Sequence, residues 1–184
     1  MQWIQAAKLS QWRRIYHLYR RAFPANERKP FSIIRAMQKK GKTDVWYLEK
    51  DGAFAGFAAT INGTEQILLD YLAVDEKRRG QGIGTEMLNL LRKQYAGKGV
   101  FLEIERPCAD APNAEERIGR KRFYLSCGMR DLHVSARVFG VEMELLGWEC
   151  TMDFEAYRAF YRDNYGEFAA GHIQRSEENP GEFL

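Results

Sequence analysis

Residues 78–84 read Arg78-Arg79-Gly80-Gln81-Gly82-Ile83-Gly84, with an apolar run, "ILLDYLAV", before them and a helix-patterned one, "IGTEMLNLLRKQY", after. Three glycines in five residues surrender side chains at the point where a helix should begin. A strand, a glycine turn and a helix N-terminus together suit an anion, because the first helical N–H groups have no internal acceptor and the helix dipole is positive there. Glycines let a phosphate reach the main chain without meeting a Cβ. Successive amides then form a concave nest, and Arg78 and Arg79 add charge at its rim. A nucleoside-triphosphate loop would need a lysine after the last glycine, and the dinucleotide fingerprint needs GxGxxG; the spacing here is GxGxG and satisfies neither. Spacing alone leaves both a plain turn and a phosphate site open.

The flanking pattern narrows the fold. Trp12, Ile15, Tyr16, Tyr19 and Phe23 recur at helical spacing after Ser10, a residue type that caps helices. A second helix is expected to open at Pro30 and close at Gly41. The period then changes to that of strands: "VWYLEKDGAFAGFAATI" predicts a hairpin turning at Asp51-Gly52. A strand over Gln66–Val74 follows, then the glycine turn, a helix to about Tyr95, and a strand at "GVFLEIE". The segment "NAEERIGRKRFYLSCGM" predicts a helix ending near Gly128 in a left-handed cap. Two closing strands, "LHVSARVF" and "VEMELLGWE", precede an amphipathic helix with Phe154, Tyr157, Phe160 and Tyr161 on one side. The last dozen residues are polar and expected to be mobile. Strand and helix do not alternate throughout, so a doubly wound sheet is excluded. A mixed, mostly antiparallel α/β (α+β) sheet flanked by helices, with one βαβ unit, is expected.

At 184 residues the chain is long enough to bury a core without disulfides or metal. A net charge of +3 does not by itself indicate a nucleic-acid binder, but leaves room for a local basic patch. The three cysteines are widely spaced and no histidine neighbours them, so no metal site is expected. The N-terminal "MQWIQAAKLSQWRR" lacks the apolar core of a signal peptide, and no run approaches a membrane span. A cytoplasmic protein is expected, with no membrane and no nucleic acid among its partners.

The glycine turn resembles the acetyl-CoA loop of the GNAT superfamily of N-acetyltransferases, (R/Q)-x-x-G-x-(G/A), here Arg79, Gly80, Gln81, Gly82, Ile83 and Gly84. The family loop follows a strand often ending "AV", as Ala73 and Val74 do. "FYLSCGM" is similar to the family's "FYxxxGF", with Met129 in place of phenylalanine. The resemblance covers residues 45 to 130. It implies an acetyl-CoA-dependent acyltransferase domain over residues 1–150, with the C-terminal helix and polar tail of 151–184 appended. It further implies that amides from Arg79 to Thr85 take the coenzyme's diphosphate. The parallel strands splay beyond the loop, and the pantetheine pairs with the edge of the first around Leu72, Ala73 and Val74. Tyr124 matches the tyrosine whose hydroxyl faces the coenzyme sulfur, a proton donor for the leaving thiolate.

Attack by an amine also needs a way to shed its proton. Glu103 and Glu105 share one face of their strand, while Leu102 and Ile104 share the other. Asp70 lies on the parallel strand, two residues before Leu72. Glu103 ranks first as base and Asp70 second; for each, a solvated or arginine-paired carboxylate is the competing reading. Asn113 suits a helix cap or a pantetheine contact, although the family spacing to Tyr124 falls at Arg117 instead. Arg117, Arg120 and Tyr124 share a helix face. The two arginines reach coenzyme phosphates or the carboxylates Glu103 and Glu105, with a solvated helix face as the competing reading. In this superfamily the first two helices and their connection line the acceptor cleft. Here that connection is "FPANERKPF", where Glu27 would attract a cationic amine and Arg28 an anionic group.

Transfer from acetyl-CoA to a primary amine of a small molecule or peptide is thus expected. The alternative is an inactive coenzyme-binding regulatory module. An RNA surface at "KRRGQGIG" and "RIGRKR" is interrupted by Asp110, Glu115 and Glu116 and lacks an aromatic platform. Monomer and homodimer are both left open.

Overall fold

The computed structural model describes residues 2–176; the polar tail expected at the C-terminus lies, from residue 177 on, outside the described residues. The chain divides into two compact units between Phe101 and Leu102.

The first unit begins with a short strand, β1 (Gln2–Gln5), and α1 (Leu9–Ala22). Ser10, expected from the sequence to cap α1, instead lies in its first turn, with Lys8 at the cap position. The Gln11 side chain does that work by reaching back to accept from the amides of Ala7 (3.0 Å) and Lys8 (2.9 Å). A 3-10 turn at Ala25–Glu27 leads into α2 (Phe31–Lys39), which starts directly after Pro30. The antiparallel strands β2 (Thr43–Lys50), β3 (Ala53–Asn62) and β4 (Gln66–Val74) follow. Asp51 and Gly52, with φ of 54° and 72°, make the tight turn between β2 and β3. The crossover helix α3 (Ile83–Gln94) returns the chain to β5 (Gly99–Glu105), whose first three residues pair parallel with Gln66–Leu68. The parallel register runs through Leu68–Phe101.

Two layers of apolar side chains fix this unit. On one face Trp12, Ile15, Leu18 and Tyr19 of α1 join Ile34 of α2 against Val45, Tyr47, Phe57, Ala59, Tyr71 and Ala73. Tyr16, expected in that stripe, is 37% exposed, and Leu18 holds the core position instead. On the other face α3 packs on β3 and β4. Gly56 sets how closely: a Cβ there would stand 2.6 Å from the Ala73 carbonyl oxygen and 2.9 Å from the Met87 sulfur. The far end of α3 is anchored by Tyr95, whose buried hydroxyl donates to Asp44 Oδ2 (2.8 Å) and accepts from Trp46 Nε1 (3.1 Å). With its one proton given to Asp44, Tyr95 must take the 2.6 Å contact with Thr60 as acceptor.

The second unit holds the remainder of β5, then α4 (Ala114–Ser126), β6 (Arg130–Val138), β7 (Val141–Trp148), α5 (Phe154–Tyr165), a short α6 (Glu167–Gly171) and β8 (Ile173–Arg175). Strands β7, β6 and β8 are antiparallel neighbours in that order. Gly128, at φ 86°, closes α4 in the left-handed conformation expected for it. Asp153 caps α5 by accepting from the Ala156 amide at 2.8 Å, and α5 packs on β6. Among the described residues no helix is long and apolar enough to cross a membrane.

Because backbone oxygen cannot move aside, Gly56→Ala is expected to force β4 and α3 apart and to cost about 1–3 kcal/mol. Thermal denaturation should show a lower Tm; an unchanged Tm would mean that the sheet accommodates the methyl group.

Candidate active site

In the first unit the glycine turn is built in steps. The Asp75 amide bonds to Ala55 oxygen (2.9 Å), one residue past the end of β4. Its carboxylate accepts from the Lys77 amide (3.1 Å) and starts a 3-10 turn over Glu76–Arg78. Gly80 and Gly82 then adopt φ of 73° and 74°, the left-handed region that side chains disfavour. Ile83, only 1% exposed, plugs the core and fixes where α3 begins. Gly82 is the cap residue and has no side chain to satisfy the first amides of the helix. A Cβ at Gly80 or Gly82 would meet nothing within 4 Å. Tight packing therefore does not explain these glycines. They supply the backbone turn and leave open space beside it.

The side chains around the turn point elsewhere. Gln81 folds back onto the Lys77 carbonyl (3.2 Å), and Arg78 approaches Asp51 at 3.9 Å. Arg79 is exposed. What the stretch from Arg79 to Thr85 offers outward is thus chiefly main chain.

On β4 the register with β3 slips between Ala59 and Thr60, so that Leu69 faces Thr60, Tyr71 faces Ala59, and Asp70 is the extra residue of a bulge. Beyond it Leu72, Ala73 and Val74 pair with Ala58, Phe57 and Gly56. Tyr71 and Ala73 are buried in the core layer, whereas Asp70, Leu72 and Val74 keep partial exposure. Asp70 Oδ1 is 2.7 Å from Lys29 Nζ. The connection that carries Lys29 is clamped to the strand through tyrosines. Tyr71 hydroxyl donates to Glu27 oxygen (3.0 Å) and accepts from the Lys29 amide (3.1 Å), while Tyr19 hydroxyl donates to Lys29 oxygen (2.9 Å). Between Glu27 and Lys29, Arg28 has a buried Nε with no hydrogen-bond partner.

In the second unit Tyr124 sits on α4 with its ring against Phe123. Burial pushes its phenol up to about 12, with Arg120 pulling down and Cys127 adding to the rise. Among the described residues no hydrogen-bond partner meets its hydroxyl. Glu103 Oε1 accepts from both Tyr157 (2.6 Å) and Tyr161 (2.7 Å) of α5. Glu105 takes Arg117 (2.8 Å) and, more loosely, Arg120 (3.8 Å). Asn113 stands at the cap position of α4, but its side chain makes no cap bond. It donates to Glu105 (3.3 Å) and accepts from Arg117 Nε (2.8 Å).

Four participants in these clusters escaped the sequence reading. Lys29, Tyr71, Tyr157 and Tyr161 read there as loop charge or apolar stripe. Only the hydroxyl groups of the tyrosines signalled a polar task, since a buried phenol needs a partner. Among the described residues no cluster of metal-ligating side chains occurs.

The first unit thus combines a mixed sheet with one parallel crossover, a helix started on uncapped amides and a bulged strand beside it. The chain belongs to the Acetyltransferase (GNAT) family, whose model matches residues 12–129, and that places it among the acyltransferases. It is 29% identical over 102 residues to YjbC of Bacillus subtilis (strain 168), whose name assigns it as an acetyltransferase. That match takes in 55% of this chain and spans about half, 49%, of the relative's length. A GNAT-family protein from Bacteroides thetaiotaomicron shares the fold at a TM-score of 0.76 and 16% identity, over 92% of this chain and 99% of that one. An aminoglycoside 6'-N-acetyltransferase in complex with coenzyme A shares it at 0.61 and 15% identity, over 80% of this chain and 96% of that one.

Tyr157 and Tyr161 are both held well above the ordinary tyrosine range, by burial first and by the charge of Glu103 next. A pKa raised in the fold stabilises below the unfolded value, about 10, and that stability drains away as pH climbs past it. Tyr161→Phe is expected to cost about 1–3 kcal/mol at pH 8 by leaving Glu103 one donor short. The variant should also lose stability less steeply than the parent above about pH 10. Denaturant titrations on both sides of that pH read the two effects, and an identical alkaline slope would contradict the assignment.

Proposed function

We propose that the protein is an N-acetyltransferase that moves the acetyl group of acetyl-CoA to a primary amine by direct attack. The observation that carries this reading is the start of α3, where Gly80 and Gly82 turn the chain and leave the first amides uncapped beside open space. Amides between Arg79 and Thr85 take the diphosphate there, with the helix dipole and the Arg79 charge behind them. The main chain of Leu72–Val74, past the end of the parallel register, offers hydrogen bonds to the pantetheine. Arg120, held to Glu105 only at 3.8 Å, is available to a coenzyme phosphate.

Glu103 takes the proton of the bound ammonium. Its two phenol donors favour the ionised carboxylate, the form that can accept. The freed amine forms the new C–N bond as the C–S bond breaks; Tyr124 gives its proton to the departing thiolate, and the phenolate left behind is reprotonated by the proton that the newly acylated nitrogen sheds. A phenol pushed up to about 12 is fully protonated at neutral pH, as that role requires. The neighbour crystallised with coenzyme A is an aminoglycoside N-acetyltransferase, which supports an amine acceptor. The three cysteines are free thiols, a state that suits a reducing cytoplasm.

Calorimetry with CoA, joined to thiol release from acetyl-CoA across a panel of small and peptide amines, tests the proposal. Binding without release on any amine would make the chain a coenzyme-binding module instead. Tyr124→Phe should keep CoA affinity while kcat falls about 10²–10⁴-fold; an unchanged kcat removes Tyr124 from the reaction. For Glu103→Gln the acidic limb of the kcat/KM profile is expected to vanish, and a limb that persists clears Glu103 as base.

A further inference from the structure

Arg28 carries a charge that the fold leaves unanswered. Its Nε is buried without a hydrogen-bond partner, and among the described residues no carboxylate, carbonyl or aromatic ring meets the guanidinium. Taking an N–H of a charged group out of water without an acceptor is unfavourable, so the group calls for a partner from outside the fold. The residue as a whole keeps partial exposure and is open to solvent. We infer that the acceptor is an amine that also carries a carboxylate, and that the Arg28 guanidinium holds that carboxylate. This names the acceptor class within the acetyltransferase reading and rests on it.

A structural arginine would be bonded to what it fixes, and here the fixing is done by other groups. The Tyr71 hydroxyl donates to the Glu27 carbonyl at 3.0 Å and accepts from the Lys29 amide at 3.1 Å, which pins the residues on both sides of Arg28 to β4. The Tyr19 hydroxyl adds a third tie, to the Lys29 carbonyl at 2.9 Å. Tyr71 directly precedes Leu72, where the segment assigned to the pantetheine begins, so this clamp carries Arg28 beside the strand along which the acetyl group is delivered. Asp70, the acid of the same strand, is already engaged by Lys29 Nζ at 2.7 Å. Burial raises the Tyr19 phenol, its hydrogen bond with Tyr71 lowers it, the Asp70 charge raises it and the Arg28 charge lowers it again, so the positive charge is felt at the clamp. One guanidinium offers a single charge and a planar fork of donors, a match for the single charge and two oxygens of a carboxylate. Because the connection is preformed, binding costs little ordering. An amine without a carboxylate leaves the guanidinium unpaired and is the poorer ligand.

Calorimetry on CoA-saturated protein tests this without turnover, with glycine, β-alanine and γ-aminobutyrate each compared with its carboxamide. In at least one pair the acid should bind about 10–100-fold more tightly than the amide, the worth of a hydrogen-bonded charge pair. Arg28→Met, which keeps an apolar stem, should bring every pair to within about twofold. Arg28→Lys, which keeps the charge and loses the fork, should narrow the preference about 3–10-fold. Equal affinity within every pair on the parent, or a preference undiminished in either folded variant, overturns the inference. So does weaker CoA binding by Arg28→Met, which would give the guanidinium to a coenzyme phosphate. Failure of the acetyltransferase reading shows separately, as absent CoA binding or absent thiol release with every amine.

Discussion

One extra residue in β4 governs the arrangement of the first unit. Without the slip at Asp70, strict alternation from Leu69 would put Tyr71 on the same side as Leu69 and Asp70 on the opposite side. With it, Tyr71 and Ala73 join the layer under α1, while Asp70, Leu72 and Val74 keep contact with solvent. The Tyr71 hydroxyl then reaches the main chain of Glu27 and Lys29, and a connection that sequence alone reads as a polar loop becomes a fixed wall. The bulge thus sets the wall, the position of the Asp70 carboxylate and the outward rungs of the strand in a single stroke.

The second unit solves a similar problem with α5. Glu103 is a half-buried carboxylate on β5, and the two tyrosines that donate to it come from a helix outside the matched family region. Glu105, two residues on, is served instead by α4 through Arg117, Arg120 and Asn113. Neighbouring acids on one face of β5 are therefore neutralised by different chemistry: phenol donors that carry no charge for one, guanidinium groups for the other. Arg117 supplies a permanent positive charge to Glu105, whereas the phenols meet the Glu103 carboxylate as neutral hydrogen-bond donors.

Much of the fold was legible because its signals are local. The Asp51-Gly52 turn, the bounds of β4, the glycine start of α3 and the left-handed end at Gly128 each follow from backbone conformations that few residue types tolerate. What escaped depends on partners distant in the chain. The strand β1 is four residues long and takes its register from β2, so "QWIQ" alone carries no period. Ser10 is a good capping type that falls inside the first turn, where Gln11 serves the cap position instead, and Asn113 stands at the cap position with its side chain drawn off to Glu105 and Arg117. A bulge has no sequence signature in a run as apolar as "ILLDYLAV". The glycine turn was therefore readable, and the Lys29–Asp70 pair was not.

The Tyr95 anchor has a mechanical consequence. A helix tethered at its tail by three polar contacts to β2 and β3, and seated on Gly56 midway, behaves as a strut rather than a lever. Load applied at its glycine-started head passes into the sheet instead of being dissipated as sliding, and the head is thereby kept in place.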